Sequence, residues 1–256
     1  MKLTDLDVSN AVAVRSNKTV YCDKKQNLAI KVFDESFSKV GILNEALNQS
    51  KIEETGINCP RLEAVTQVDG KWAIVTEYIK GKTLAKLMEE NPGRRGEYLD
   101  LFVDIQLSIH AEKCPLLTQL KDKMNAKISQ TTLDATTRYE LHTRLESMPT
   151  HNKICHGDFN PSNVIISEDG TPYVIDWSHV TKGNAGADAA RTYLLFCLSG
   201  DRAIADEYLK LFCKKSDTAM QYVQKWMPIV AASQSVKGKA EEREILLSWV
   251  DVVDYE

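Results

Sequence analysis

Residues 154–163 read Ile-Cys-His-Gly-Asp-Phe-Asn-Pro-Ser-Asn, and thirteen positions past the last Asn lies Asp176, in Val174-Ile175-Asp176-Trp177. This block constrains the fold more than any other, because it sets three polar side chains at the ends of short apolar runs. Val164-Ile165-Ile166 reads as a short buried strand, Ser167-Glu168-Asp169-Gly170-Thr171-Pro172 as a turn, and Tyr173-Val174-Ile175 as the returning strand. Closing that hairpin brings Asp176 beside Asn163. A carboxylate and an amide oxygen side by side are hard ligands that suit magnesium. Asp158, five residues before Asn163, is a carboxylate able to accept the proton of an attacking hydroxyl. Together the three make the minimal apparatus for moving the terminal phosphoryl group of ATP. A lone His-Gly-Asp would be an ordinary turn, and a lone Val-Ile-Asp-Trp an ordinary strand end. The spacing of all three around apolar strands argues for chemistry instead.

The block Ile154–Trp177 resembles the catalytic core of the aminoglycoside phosphotransferase and choline kinase family, relatives of the protein kinases. The likeness extends to Asp188-Ala189-Ala190-Arg191-Thr192 and can be followed, more weakly, over most of the chain. Family members often carry His where Asn160 stands and Gly where Ser162 stands. Those departures bear on substrate contact or loop shape and leave Asp158, Asn163 and Asp176 in place. The resemblance implies an α+β, bilobal protein-kinase-like fold, with a β-rich N-terminal lobe and a mainly helical C-terminal lobe. It implies ATP (or GTP) and Mg2+ as cofactors, Asp158 as the catalytic base, and Asn163 and Asp176 as metal ligands.

The 256 residues suffice for one large domain or two lobes, and 43% hydrophobic with 27% charged residues is ordinary for a globular protein. No apolar run approaches the length of a membrane span, and the N-terminus lacks the apolar stretch of a signal peptide. The six cysteines (Cys22, Cys59, Cys114, Cys155, Cys197 and Cys213) are scattered without metal-ligand spacing, as expected of reduced thiols in a cytoplasmic protein. A net charge of −4 does not suggest a nucleic-acid surface. That charge is concentrated after Lys239, where six carboxylates (Glu241, Glu242, Glu244, Asp251, Asp254 and Glu256) face only Lys239 and Arg243.

Along the chain, Ala11–Val14, Thr19–Cys22 and Leu28–Phe33 are short apolar runs between polar turns. A helix is expected near Lys39–Glu54. Leu62–Val68 and Trp72–Tyr78 pair across Asp69-Gly70, a strong hairpin signal. After Gly81 the period changes: Leu84–Glu90, Tyr98–His110 and Ala240–Val253 carry apolar residues at helical spacing, the last with Ile245, Leu246, Trp249, Val250 and Val253 on one face. The expected organisation is a nucleotide-binding lobe over 1–78, a hinge at 79–82 and a helical catalytic and acceptor-binding lobe over 83–256.

Lys31 sits inside the apolar run Ala-Ile-Lys-Val-Phe, so its ammonium either reaches water or meets an anion. The resemblance makes it a ligand of the ATP phosphates, paired with a helix glutamate. Glu45 is the best-placed partner, with Glu53 and Glu54 as alternatives nearer the helix end. No glycine precedes Gly41, so the turn Arg15-Ser16-Asn17-Lys18 contains no glycine-rich loop. Ser16, Asn17 and Thr19 are candidate phosphate contacts; the turn can equally be a plain hairpin with Lys18 in solvent. By resemblance, the main chain at Glu77 and Ile79 binds the adenine edge.

Protein kinases carry Arg where Gly157 stands, and only eleven residues separate Asp176 from Asp188, too few for a long regulatory segment. Both points favour a small-molecule hydroxyl as acceptor. Asp188 supports the catalytic loop in the family and would otherwise be a helix N-cap. Two other readings stand beside the active kinase: a catalytically silent nucleotide-binding relative, which would typically lack one of Lys31, Asp158, Asn163 and Asp176, and a protein Ser/Thr kinase. The acidic C-terminal segment suits a polycation such as an aminoglycoside, or is a solvated face. The expected partner is a small-molecule hydroxyl acceptor, and neither nucleic acid nor a membrane is expected.

Overall fold

The structure is a computed structural model that describes residues 11–15, 17–236 and 240–250. The chain forms two compact units, Met1–Glu90 with Ser162–His179, and Asn91–Pro161 with Val180–Glu256. Residues 79–82 fall inside the first.

The first unit is built on an antiparallel sheet of β1 (Ala11–Arg15), β2 (Lys18–Asp23), β3 (Leu28–Phe33), β4 (Leu62–Val68) and β5 (Lys71–Glu77), in the order β1-β2-β3-β5-β4. Asp69 and Gly70 close the β4–β5 hairpin with φ of +47° and +82°, the double left-handed geometry whose twist matches that of paired strands. Strand alternation gives the sheet two different faces. Ile30, Val32, Val68, Ala73 and Val75 make one apolar layer. Phe33 and Ile74, on the other, pack against Ile42 and Ala46 of α1 (Lys39–Glu53). Ser38 caps this helix, its hydroxyl accepting from the Gly41 N–H at 3.1 Å. Lys31 shares the face of Phe33 and is therefore delivered to α1 rather than to water.

A second, three-stranded sheet in this unit joins β6 (Gly81–Thr83) to the expected hairpin, β8 (Val164–Ser167) and β9 (Pro172–Val174), with α2 (Leu84–Glu90) following β6. The sequence reading did not include β6. Gly81 is required there because a Cβ would lie 2.2 Å from the Ile166 carbonyl oxygen.

The second unit is mainly helical: α3 (Arg95–Ala111), α4 (Leu120–Ser129), α5 (Ala135–Ser147), α6 (Ala185–Leu198), α7 (Arg202–Ser216), α8 (Met220–Gln224), α9 (Met227–Ser235) and α10 (Ala240–Ser248). A two-stranded antiparallel ribbon of β7 (Lys153–Cys155) and β10 (Thr181–Gly183) also belongs to this unit. Phe102 of α3 stacks on Phe159 with ring centroids 4.4 Å apart, and Phe196 and Tyr208 meet it edge-on. Removing such a buried ring costs about 3–5 kcal/mol. Helix α9 is buried at every residue except Gln234.

The C-terminal helix is shorter than its periodicity implies, ending at Ser248, and Val253 lies outside the described residues. Ile245 is 44% exposed while Leu246 is fully buried. Neighbours in sequence are 100° apart on a helix, so only one of them can occupy the centre of the packed face. All six cysteines are free thiols. Among the described residues, no helix is long and apolar enough to cross a membrane.

Candidate functional site

In the first unit four charged side chains meet under the sheet. Lys31 Nζ donates to Glu45 Oε1 and, at 3.2 Å, to Asp176 Oδ1. Lys18 Nζ donates to the other oxygen, Asp176 Oδ2, at 3.1 Å. Each oxygen of Asp176 thus faces an ammonium, and the four formal charges cancel. Burial alone would lower the Lys31 pKa, but the charges of Asp176 and Glu45 override it and raise it above the ordinary lysine value. For Asp176, burial opposes ionisation, yet Lys31 and then Lys18 hold the carboxyl well below the usual carboxylate range. Lys18 shifts the other way: burial first, and the Lys31 charge second, lower its pKa despite Asp176.

Register explains why these groups converge. Val20 pairs with Lys31 and Lys18 with Phe33, so both lysines project from one face as diagonal neighbours. Glu45 lies on α1 three residues after buried Ile42 and four before buried Gln49, spacings that turn it toward that face. The alternatives are engaged elsewhere: Glu53 accepts from the Leu62 N–H at 2.7 Å, and Glu54 is the residue at which the helix ends. Asp176 arrives on the β8–β9 hairpin, where Val164 pairs with Val174 and the Ile175 N–H donates to the Asn163 carbonyl at 2.9 Å. Asn163, buried at the end of a short 3-10 turn, is therefore next to the strand end that carries Asp176, as the hairpin expectation requires. Asp176 has φ +64°, a left-handed conformation that Asp tolerates better than most residues. Among the described residues no three His, Cys, Asp or Glu side chains cluster as a closed metal site. One carboxylate with one amide is an open donor set.

In the second unit the loop after β7 carries Asp158, and α6 holds that loop by its main chain. Asp188 Oδ1 accepts from the Gly157 N–H at 2.7 Å, Arg191 Nε donates to the Gly157 carbonyl at 3.2 Å, and Thr192 Oγ1 donates to the Phe159 carbonyl at 3.1 Å. These are positions i, i+3 and i+4, one stripe of a helix. Gly157 has φ +79°, which explains why glycine stands there. The N-cap of α6 is Asn184, whose side chain accepts from the Gly186 N–H at 2.9 Å, so Asp188 is not the cap. Asp188 is buried, and its other oxygen meets His110 Nε2 at 2.9 Å and Gln106 Nε2 at 3.2 Å. Burial would raise its pKa, but the hydrogen bonds from His110 and the Gly157 N–H, with the neighbouring histidines, together outweigh that and the carboxyl stays below its ordinary value. The Asp158 carboxylate lies 3.8 Å from Arg191 Nη2, and Asn160 Nδ2 donates to the Asp158 carbonyl at 2.9 Å. Burial holds the Arg191 pKa below the arginine norm, against the charges of Asp158 and then Glu242.

The remaining expected contacts are not all drawn to the cluster. Ser16 lies outside the described residues. Asn17 accepts at its main-chain carbonyl from the Asp34 N–H at 3.0 Å. Thr19 pairs with Val32, on the sheet face opposite Lys18 and Lys31. The Glu77 N–H is taken by the Arg61 carbonyl at 2.9 Å, and Ile79 is buried. Of the acidic C-terminal residues, Glu241 and Glu244 are exposed and Glu242 is half-buried, whereas Asp251, Asp254 and Glu256 lie outside the described residues. Sequence reasoning missed Lys18, whose solvent alternative fails because its side chain is only 19% exposed. It also missed Gln106 and His110. Two polar residues at i and i+4 within the apolar face Leu99, Phe102, Val103 and Ile109 are a signal that was available.

The profile of the phosphotransferase enzyme family (APH) matches residues 11–226. No curated protein sequence matches the chain. Among solved structures, the apo form of a thermostable mutant of aminoglycoside phosphotransferase APH(4)-Ia superposes with a TM-score of 0.68 at 15% identity, covering 94% of this chain and 92% of that one. A further mutant of that enzyme, in a ternary complex with ADP and hygromycin B, gives 0.67 at 14% identity, with 94% and 89% covered. Choline kinase LicA from Streptococcus pneumoniae gives 0.63 at 15% identity, with 95% and 93% covered. The fold is that of these kinase-like enzymes: a β-sheet N-terminal region followed by a mainly helical C-terminal region.

Proposed function

Because the chain belongs to the phosphotransferase enzyme family, we propose that it moves the γ-phosphoryl group of ATP (or GTP) to a hydroxyl of a small molecule, an aminoglycoside-like compound or a metabolite alcohol. The observation that carries this reading is the cluster in which Lys31, held by Glu45, shares Asp176 beside Asn163. In this reading Lys31 binds phosphate oxygens, and Glu45 keeps its ammonium charged and aimed. Asp176 and Asn163 would hold magnesium, since both offer the hard oxygen atoms that this ion favours. When bound, the ion neutralises charge on the phosphates. The main chain at Glu77 and Ile79 takes the adenine edge. Residues 1–78 then serve chiefly the nucleotide, with 79–82 as hinge and 83–256 supplying the base and the acceptor site.

Asp158 takes the proton of the acceptor hydroxyl. Asp188 and Arg191 fix the main-chain N–H and carbonyl of the preceding Gly157, so the Asp158 carboxylate is pre-oriented. The nucleotide reading has support from a neighbour of the same fold that was crystallised with ADP.

The test is a screen of hydroxylated metabolites and aminoglycosides for magnesium-dependent ATP consumption, with the product identified by the added phosphoryl mass. Thermal stabilisation by ATP with magnesium is the first result expected. A protein that gains no stability from it, and consumes ATP with no acceptor, would refute the proposal.

A further inference from the structure

We propose that Lys18 is a second phosphate-binding ammonium, contacting the β- or γ-phosphate from the first turn of the sheet; the inference rests on the nucleotide reading above. The case begins with sequence. No glycine occurs before Gly41, so the β1–β2 turn lacks the residue that lets backbone amides wrap closely around phosphate. A cation at the start of β2 supplies by side chain what such a loop supplies by main chain.

Geometry then places that cation. Lys18 and Lys31 project from one face of β2 and β3, and their ammonium groups reach opposite oxygens of the same carboxylate, at 3.1 and 3.2 Å. Lys31 has Glu45 as a dedicated partner, whereas Lys18 depends on Asp176. If Asp176 turns its charge to magnesium, Glu45 still balances Lys31, and Lys18 is left uncompensated. With 19% of its side chain exposed, Lys18 cannot recover full hydration where it stands, so it needs an anion. The anion that enters with magnesium is the polyphosphate. The lysine stem is flexible and its ammonium a compact point charge, so moving from a carboxylate oxygen to a neighbouring phosphate oxygen needs no backbone change.

The experiment uses the full-length protein and variants Lys18→Ala, Lys18→Gln and Lys18→Arg, with Kd measured for adenosine, AMP, ADP and ATP, with and without magnesium. The expected result is a loss of about ten-fold or more for ADP and ATP in the Ala and Gln variants, the scale of a charged hydrogen bond. Adenosine affinity should be unchanged and Lys18→Arg largely restored. ATP affinity within two-fold of wild type would overturn the proposal. So would equal weakening of adenosine, or magnesium binding that tightens with no loss of phosphate affinity, which would make Lys18 only a counter-charge for Asp176. Wild-type protein that binds ATP no better than adenosine would instead defeat the nucleotide reading itself. Acetylation of Lys18 in the wild-type protein, read by mass spectrometry, avoids any folding defect of the variants. ADP should protect Lys18 and adenosine should not; an equally reactive Lys18 in both would also overturn it.

Discussion

Asp176 and Asp158 both sit at turns, yet the first is held by charge and the second by main chain. Asp176 has an ammonium on each oxygen and occupies a left-handed conformation itself, at φ +64°. In the Asp158 loop the positive φ falls one residue earlier, on Gly157, where it carries no steric cost, and α6 clamps both main-chain polar groups of that residue. A residue in the left-handed region costs of order 1–3 kcal/mol unless its surroundings impose it. The contrast suits the proposed roles. A metal ligand must keep its charge and can exchange ammonium for metal, whereas a base must keep its direction while its proton affinity stays available.

The sharpest way to break the comparison is Asp176→Ala. It should abolish the enhancement of nucleotide affinity by magnesium, and activity with it; calorimetric titration of ATP with and without the metal is the check. Retained enhancement would place the metal elsewhere. Asp158→Asn should leave nucleotide affinity intact and lower turnover at least about 100-fold, the usual scale of general-base catalysis, as single-turnover kinetics would report. Near-normal turnover would remove Asp158 from the chemistry.

The Lys31–Glu45 pair sharpens the comparison from the charge-held side. Lys31→Ala should weaken productive ATP binding and Glu45→Ala should do so less. The double variant should fall short of the sum of the two losses by about 0.5–3 kcal/mol, since Glu45 acts through Lys31. Strict additivity in a double-mutant cycle would show that they do not act together. The smallest effect is expected in the second unit, from Glu241→Gln with Glu242→Gln. If a cationic acceptor uses the C-terminal helix, its KM should rise by no more than about five-fold, the limit for exposed charges. That rise should shrink with added salt, and the KM for ATP should not move. An unchanged acceptor KM would return the segment to a solvated face.

Much of this was legible in the sequence, where local rules suffice. The Asp69-Gly70 hairpin, the strand Leu28–Phe33, helix α2 and the β8–β9 hairpin follow from alternation, period and turn chemistry. Asn163 beside Asp176 follows from that last hairpin alone. The Lys31–Glu45 pair needed the kinase-like resemblance, because a lysine in a strand is silent about which helix covers it. The sequence grouped Thr19 with Ser16 and Asn17 and left Lys18 aside, because adjacent strand residues point to opposite faces and only the register shows which face carries the charges.

By itself, then, the sequence determined the elements whose information is local, and the spacing of Asp158, Asn163 and Asp176, because turns, strand alternation and helix period are written within a few residues. Only the tertiary structure decided that Lys18 shares Asp176 with Lys31, that Glu45 rather than Glu53 completes the cluster, and that Asp188, Arg191 and Thr192 grip the Asp158 loop. Those contacts join residues 14 to 158 positions apart, from Lys31 and Glu45 to Lys18 and Asp176. Strand register and helix docking set them, and both are fixed by burying apolar faces that carry no mark of the charges they bring together.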